Sequence, residues 1–98
     1  MNNVNTGQLG TIYLLHFDRP YEHARHYLGW TTDLAARLAE HRRGNGAKLL
    51  AALAQREIGF TLVRTWQPAD RNRERQIKIQ GGLSRSCPFC GVNPRKGT

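Results

Sequence analysis

Acidic residues are scarce in this 98-residue chain, with seven Asp and Glu against fifteen Lys and Arg, for a net charge of +8. That balance argues against a cationic substrate or partner and for a polyanionic one. Long apolar runs are missing. Nothing approaches the roughly 18 consecutive apolar residues of a membrane-spanning helix, so no membrane partner is expected. Cysteine is confined to Cys87 and Cys90, which excludes the disulfide framework of a small secreted domain. The opening segment MNNVNTGQLG has neither the basic start nor the apolar stretch of a secretory signal, and a cytoplasmic location is expected. Repeats and low-complexity tracts are absent. Hydrophobic residues, at 39%, are still numerous enough to form one modest core.

The cations are mostly arginine, the residue suited to bidentate phosphate contact. They are also unevenly placed, with residues 1–33 at −1, residues 34–78 at +6 and the remaining tail at +3. A polyanionic partner is the direct physical reading of such a distribution, and a basic surface reads phosphate on DNA and RNA alike.

Residues 11–17, TIYLLHF, read as a strand. Alternation puts Ile12, Leu14 and His16 on one face and Tyr13, Leu15 and Phe17 on the other. A loop is expected over 18–22, broken by Pro20, and a second strand over 26–31, where Gly29 hints at a bulge or a close backbone approach. Thr31-Thr32-Asp33 caps a first helix in which Leu34 and Leu38 face the core and Arg37 and His41 share a neighbouring face. Gly44-Asn45-Gly46 separates it from a second helix with Leu49, Leu50, Leu53 and Ala54 on its buried side, ended by Gly59. A third strand is expected over 60–66. A third helix follows, opened by Pro68-Ala69-Asp70, apolar only at Ile77 and Ile79 and closed by Gly81-Gly82. The order β-β-α-α-β-α predicts an α+β domain, a small three-stranded antiparallel sheet flanked by helices. Its expected extent is 10–82, after a flexible segment over 1–9 and before a basic tail over 83–98.

Glu74 is a lone carboxylate among Arg71, Arg73, Arg75 and Lys78. Neighbouring positive charge keeps it ionised, fit to hold one hard divalent cation whose other ligands are waters and a phosphate. Phosphodiester hydrolysis needs a proton acceptor for water, an arginine fork for the phosphoryl oxygens and a metal as charge sink. The chain has a residue type for each.

The ordered set Thr11-Ile12-Tyr13, Tyr27-Leu28-Gly29, Thr31-Thr32-Asp33-Leu34, Arg37 and His41, then Glu74-Arg75-Gln76-Ile77-Lys78, resembles the GIY-YIG nuclease family. Arg37 stands ten residues beyond Tyr27 and His41 four further on, matching the family's spacing. Gly-Ile-Tyr has become Thr-Ile-Tyr, and Tyr-Ile-Gly has become Tyr-Leu-Gly. The polar residue, often Asn, that some members carry beyond the glutamate has no counterpart nearer than Asn93 in the tail. The resemblance implies a metal-dependent endonuclease acting on DNA. In it Tyr13 and Tyr27 position or deprotonate the water, Arg37 holds the scissile phosphate, His41 assists, and Glu74 binds one Mg²⁺ or Mn²⁺. Arg42, Arg43, Lys48, Arg71, Arg75 and Lys78 would carry the nucleic acid. A partner protein or a homodimer could supply specificity.

Two other classes fit the same sequence. One is a non-catalytic nucleic-acid-binding module on this fold. The other is a zinc-stabilised interaction protein, because Cys87-Pro88-Phe89-Cys90-Gly91 has the form of a zinc knuckle. A structural zinc needs four ligands, so histidines from the body or a second copy would have to complete it. Two free thiols or a redox pair are the competing reading of those cysteines. His16, His23 and His26 carry less of the chemistry, with His26 pointing to the face opposite Tyr27 as a surface or packing residue, and Trp30 and Trp66 read as packing rather than base-stacking.

Overall fold

A computed structural model describes residues 8–79 together with 83, 87 and 88. Most of the segment over 1–9, the Gly81-Gly82 stop and Cys90 lie outside the described residues. The element order is β1 (Gly10–Tyr21), β2 (Ala24–Thr31), α1 (Leu34–Arg42), α2 (Lys48–Gln55), β3 (Phe60–Ala69) and α3 (Arg71–Ile79). The three strands form one antiparallel sheet in the order β2-β1-β3. No helix among the described residues is long and apolar enough to cross a membrane.

Because β1 is central it is covered on both faces, and Ile12, Tyr13, Leu14 and Leu15 are each at most 1% exposed. The expected alternation is present. Ile12 and Leu14 join Leu28, Ala69, Ile77 and Cys87 in one core layer. Tyr13, Leu15 and Phe17 join Leu50, Leu53 and Ile58 in the other, with Leu34 and Leu38 packed against it. Helices α1 and α2 thus cover one face of the sheet, and α3 covers the opposite one.

Four local expectations need correction. The loop over 18–22 is strand as far as Tyr21, and the chain turns at Glu22 and His23 instead. Pro20 is tolerated because pairing with β3 ends at Phe17 and pairing with β2 is interrupted between His16 and Tyr21, so its missing N–H breaks no ladder bond. Helix α2 is not ended by Gly59. Glu57 takes the left-handed conformation (φ 58°), the Glu57 N–H donates to Ala54 O and the Ile58 N–H to Leu53 O. This is a Schellman closure sealed by Ile58 against Leu53. Ala54 is exposed rather than buried, and Ile79 is exposed while Ile77 is buried. Strand β3 runs on through Pro68 to Ala69, and α3 is opened by Asp70, whose carboxylate accepts from the Arg73 N–H at 3.0 Å.

Candidate active site

The site is built around one buried phenol. Tyr13 leaves the centre of β1 and lies across β2 at Gly29, its cross-strand partner. A Cβ at Gly29 would fall on Cζ and the hydroxyl of Tyr13. The glycine is therefore a close approach of a ring to backbone, not a bulge, and Tyr13 keeps its place only because β2 has no side chain there.

The Tyr13 hydroxyl lies 2.8 Å from His41 Nε2, in a buried bond between β1 and the end of α1. The other imidazole nitrogen, Nδ1, lies 3.3 Å from the carbonyl of Asn45. A carbonyl only accepts, so Nδ1 carries the hydrogen of the neutral ring and Nε2 is left to accept the proton of Tyr13. Tyr27 lies next to Tyr13 on the same face, with ring centroids 6.1 Å apart, and helps to raise its pKa. The ring of Tyr27 meets that of His41 edge-on at 5.4 Å. Tyr27, Tyr13 and His41 thus form one cluster of rings running from the half-exposed Tyr27 inward to His41.

Burial, then Tyr27, raise the pKa of Tyr13 well above the ordinary phenol value, Arg37 opposes them, and Glu74 adds to the rise. Tyr13 is therefore held protonated, a proton donor to His41 rather than a standing phenolate. Burial also lowers the pKa of His41, with the Asn45 carbonyl working against it and Arg37 with it, so the ring stays neutral. Arg37 bears on both groups and places Nη1 3.2 Å from Glu40 Oε1. Gly46 (φ 96°) closes the turn over the pair, and a Cβ there would stand 3.3 Å from the His41 ring and 3.4 Å from Arg37 Nη1.

Glu74 enters from α3, with its side chain 20% exposed and Oε2 3.1 Å from Lys78 Nζ. One carboxylate with open surface beside it suits Mg²⁺ or Mn²⁺, which keep most of their waters. Among the described residues no group of three or more potential ligands gathers around Glu74. Tyr13, Tyr27, Arg37 and His41 are thus gathered on the face covered by α1 and α2, whereas Glu74 comes from α3, whose Ile77 packs on the opposite face, and bears on Tyr13 only electrostatically. The six cations expected to carry nucleic acid are exposed. Arg42, Arg43 and Lys48 flank the Gly44–Gly46 turn, while Arg71, Arg75 and Lys78 lie on α3. The guanidinium of Arg42 lies over Phe60 at 4.6 Å and that of Arg71 over Trp30 at 4.7 Å.

A second polar group lies on the opposite face. His16 and His26 are cross-strand partners in β1 and β2, with His16 Nδ1 3.3 Å from His26 Nε2. Cys87 Sγ lies 3.4 Å from the same His16 nitrogen. These three side chains form a group able to hold a metal ion. Cys87 is fully buried, His26 is 9% exposed, and burial foremost lowers the pKa of His26. Of the expected cysteine pair, Cys87 is thus grouped with two histidines of the body, His16 and His26, while Cys90 lies outside the described residues. Strand alternation already set His16 with Ile12 and Leu14, and His26 opposite Tyr27, but their direct pairing appears only once the hairpin register is known.

Comparison with family models, curated proteins and solved structures found no match to this chain.

Proposed function

We propose that this chain is a divalent-metal-dependent endonuclease of the GIY-YIG type that hydrolyses phosphodiester bonds in DNA. The observation that carries the proposal is the buried hydrogen bond from Tyr13 to His41, with Tyr27, Arg37 and Glu74 all bearing on the same phenol. Packing alone does not call for such a bond, since replacing both partners by apolar groups of the same shape can be nearly neutral.

In this reading water attacks phosphorus and the bond from phosphorus to the leaving oxygen breaks. Tyr27 would take the proton of the water and give up its own to Tyr13, whose proton would pass to His41 Nε2. Arg37 directs its fork at the non-bridging oxygens, where negative charge develops. Glu74 would hold Mg²⁺ or Mn²⁺, and such an ion supplies positive charge at the phosphoryl and leaving oxygens. The exposed cations on α1, α2 and α3 would hold the backbone without reading bases.

One observation favours a second reading, a non-catalytic nucleic-acid-binding module: Lys78 already occupies one oxygen of Glu74. Plasmid nicking with Mg²⁺ or Mn²⁺, with and without EDTA, separates the two. Cleavage that is lost with EDTA, with Glu74→Ala and with Arg37→Ala supports the nuclease. Salt-sensitive binding of DNA with no cut strand in either metal supports the binding module and refutes the nuclease.

A further inference from the structure

We propose that His16, His26 and Cys87 bind one zinc ion, which pins the C-terminal segment to the β1–β2 hairpin on the face opposite the candidate active site. This inference does not depend on the nuclease reading, since none of its three residues belongs to that site.

The geometry is the main argument. A tetrahedral zinc, with Zn–N of about 2.0–2.1 Å and Zn–S of about 2.3 Å, separates two ligand nitrogens by about 3.4 Å and a nitrogen from a sulfur by about 3.6 Å. The observed separations are 3.3 Å from His16 Nδ1 to His26 Nε2 and 3.4 Å from Cys87 Sγ to His16 Nδ1. All three ligand atoms lie within 4.8 Å of one another. Two edges of a zinc tetrahedron are thus present, meeting at His16 Nδ1, and the third, from His26 to Cys87, is bounded at 4.8 Å against the roughly 3.6 Å a bound zinc would set.

One nitrogen of His16 faces both the nitrogen of His26 and the sulfur of Cys87, yet a neutral imidazole nitrogen offers either one hydrogen or one lone pair. A single cation at the centre satisfies all three donors at once. The donor set also selects the ion, because two imidazoles and a thiolate suit zinc and do not suit Mg²⁺ or Ca²⁺. Copper shares a liking for these donors, and metal analysis distinguishes it.

Position indicates a structural role. Cys87 is 71 residues from His16 in sequence and sits in the core layer with Ile12, Leu14, Leu28 and Ile77. A link across that span closes a long loop of the unfolded chain, and a domain of this size has only a modest core to hold it. Burial of the sulfur and of His26 leaves little room for a substrate, and the fourth ligand a structural zinc needs is not in the group formed by the described residues.

The test uses the full chain. Purified with zinc in the medium and then desalted, it should carry about one zinc per chain by elemental analysis, the content of a single structural site. Cobalt(II) loading of the metal-stripped protein should give a thiolate-to-metal charge-transfer band and intense tetrahedral visible bands. Zinc should also raise the thermal midpoint of the stripped protein. Cys87→Ser should abolish the charge-transfer band, and His16→Asn and His26→Asn should each abolish stoichiometric zinc. Glu74→Gln should keep both, which separates this site from the cation of the proposed nuclease. Cobalt spectra of the unaltered chain need no variant to fold. Substoichiometric zinc with no cobalt–thiolate band, copper in place of zinc, or full zinc content in folded Cys87→Ser would each overturn the proposal.

Discussion

Gly29→Ala adds a single methyl group, and the structure assigns it a definite collision. In an ordinary strand position alanine is better than glycine by roughly 0.5–1 kcal/mol, because glycine has more backbone freedom to lose. Here the methyl would overlap Cζ, Cε1 and the hydroxyl of Tyr13. That ring cannot swing aside, being 1% exposed and enclosed by Leu15, Phe17, Leu50, Leu53 and Ile58. Overpacking of this kind costs about 1–3 kcal/mol, so the expected net loss is about 0.5–2 kcal/mol. The decisive comparison is the same change made in a Tyr13→Leu background. Leucine lacks all three of the overlapping atoms, so there Gly29→Ala should be neutral or stabilising by up to about 1 kcal/mol. Urea unfolding midpoints of the four proteins give the coupling directly, provided the urea dependence stays constant. A destabilisation of equal size in both backgrounds would refute the claim that Gly29 exists to admit the Tyr13 ring. A folded Gly29→Ala should also lose strand cleavage out of proportion to its stability, since the ring must move away from His41.

Tyr13→Phe keeps the ring and deletes only the hydroxyl, leaving the His41 acceptor buried and unpaired. A cost of about 1–3 kcal/mol is expected in unfolding, and a loss of about 10²–10⁴ in cleavage rate in the nicking assay. The pKa of His41 is lowered in the folded chain, chiefly by burial. The unfolded state therefore binds the extra proton first, and stability should fall as pH drops from the ordinary histidine value of about 6.5 through the lowered one. Unfolding midpoints at a series of pH values, with His41→Gln showing a shallower acid loss, check the sign. Identical slopes would refute it. Glu57→Gly should raise stability by about 1 kcal/mol, because the left-handed closure of α2 now carries a side chain, and thermal unfolding reads the gain.

Much of this was legible in the sequence because it depends on short-range periodicity. Alternation along TIYLLHF separated Ile12 and Leu14 from Tyr13 and Leu15, and the capping role of Asp33 followed from its place before an apolar helical repeat; its carboxylate does accept the Ala36 N–H. The helix closure at Glu57 was not legible, since a glutamate carries no signal for a left-handed residue and nearby Gly59 carries a strong one. Gly59 serves another need, because a side chain there would strike the Asp18 carboxylate. The metal-binding group was illegible for a different reason. His16 and His26 meet through hairpin register, and Cys87 arrives from the other end of the chain, so no local pattern connects them.

Register also ties the two faces together. Side chains alternate along a strand, so a slip of one residue between β1 and β2 sends every side chain of the moving strand to the other face. Tyr13 would then face Leu28 or Trp30 instead of Gly29, and its ring would have no bare backbone to lie on. The same slip would separate His16 from His26. Two unrelated requirements therefore specify one pairing: a tyrosine over a glycine on one face and a histidine pair on the other. A zinc held by that pair would oppose any slip by breaking its own coordination, and so would help keep the Tyr13 hydroxyl at His41 Nε2 without touching either residue.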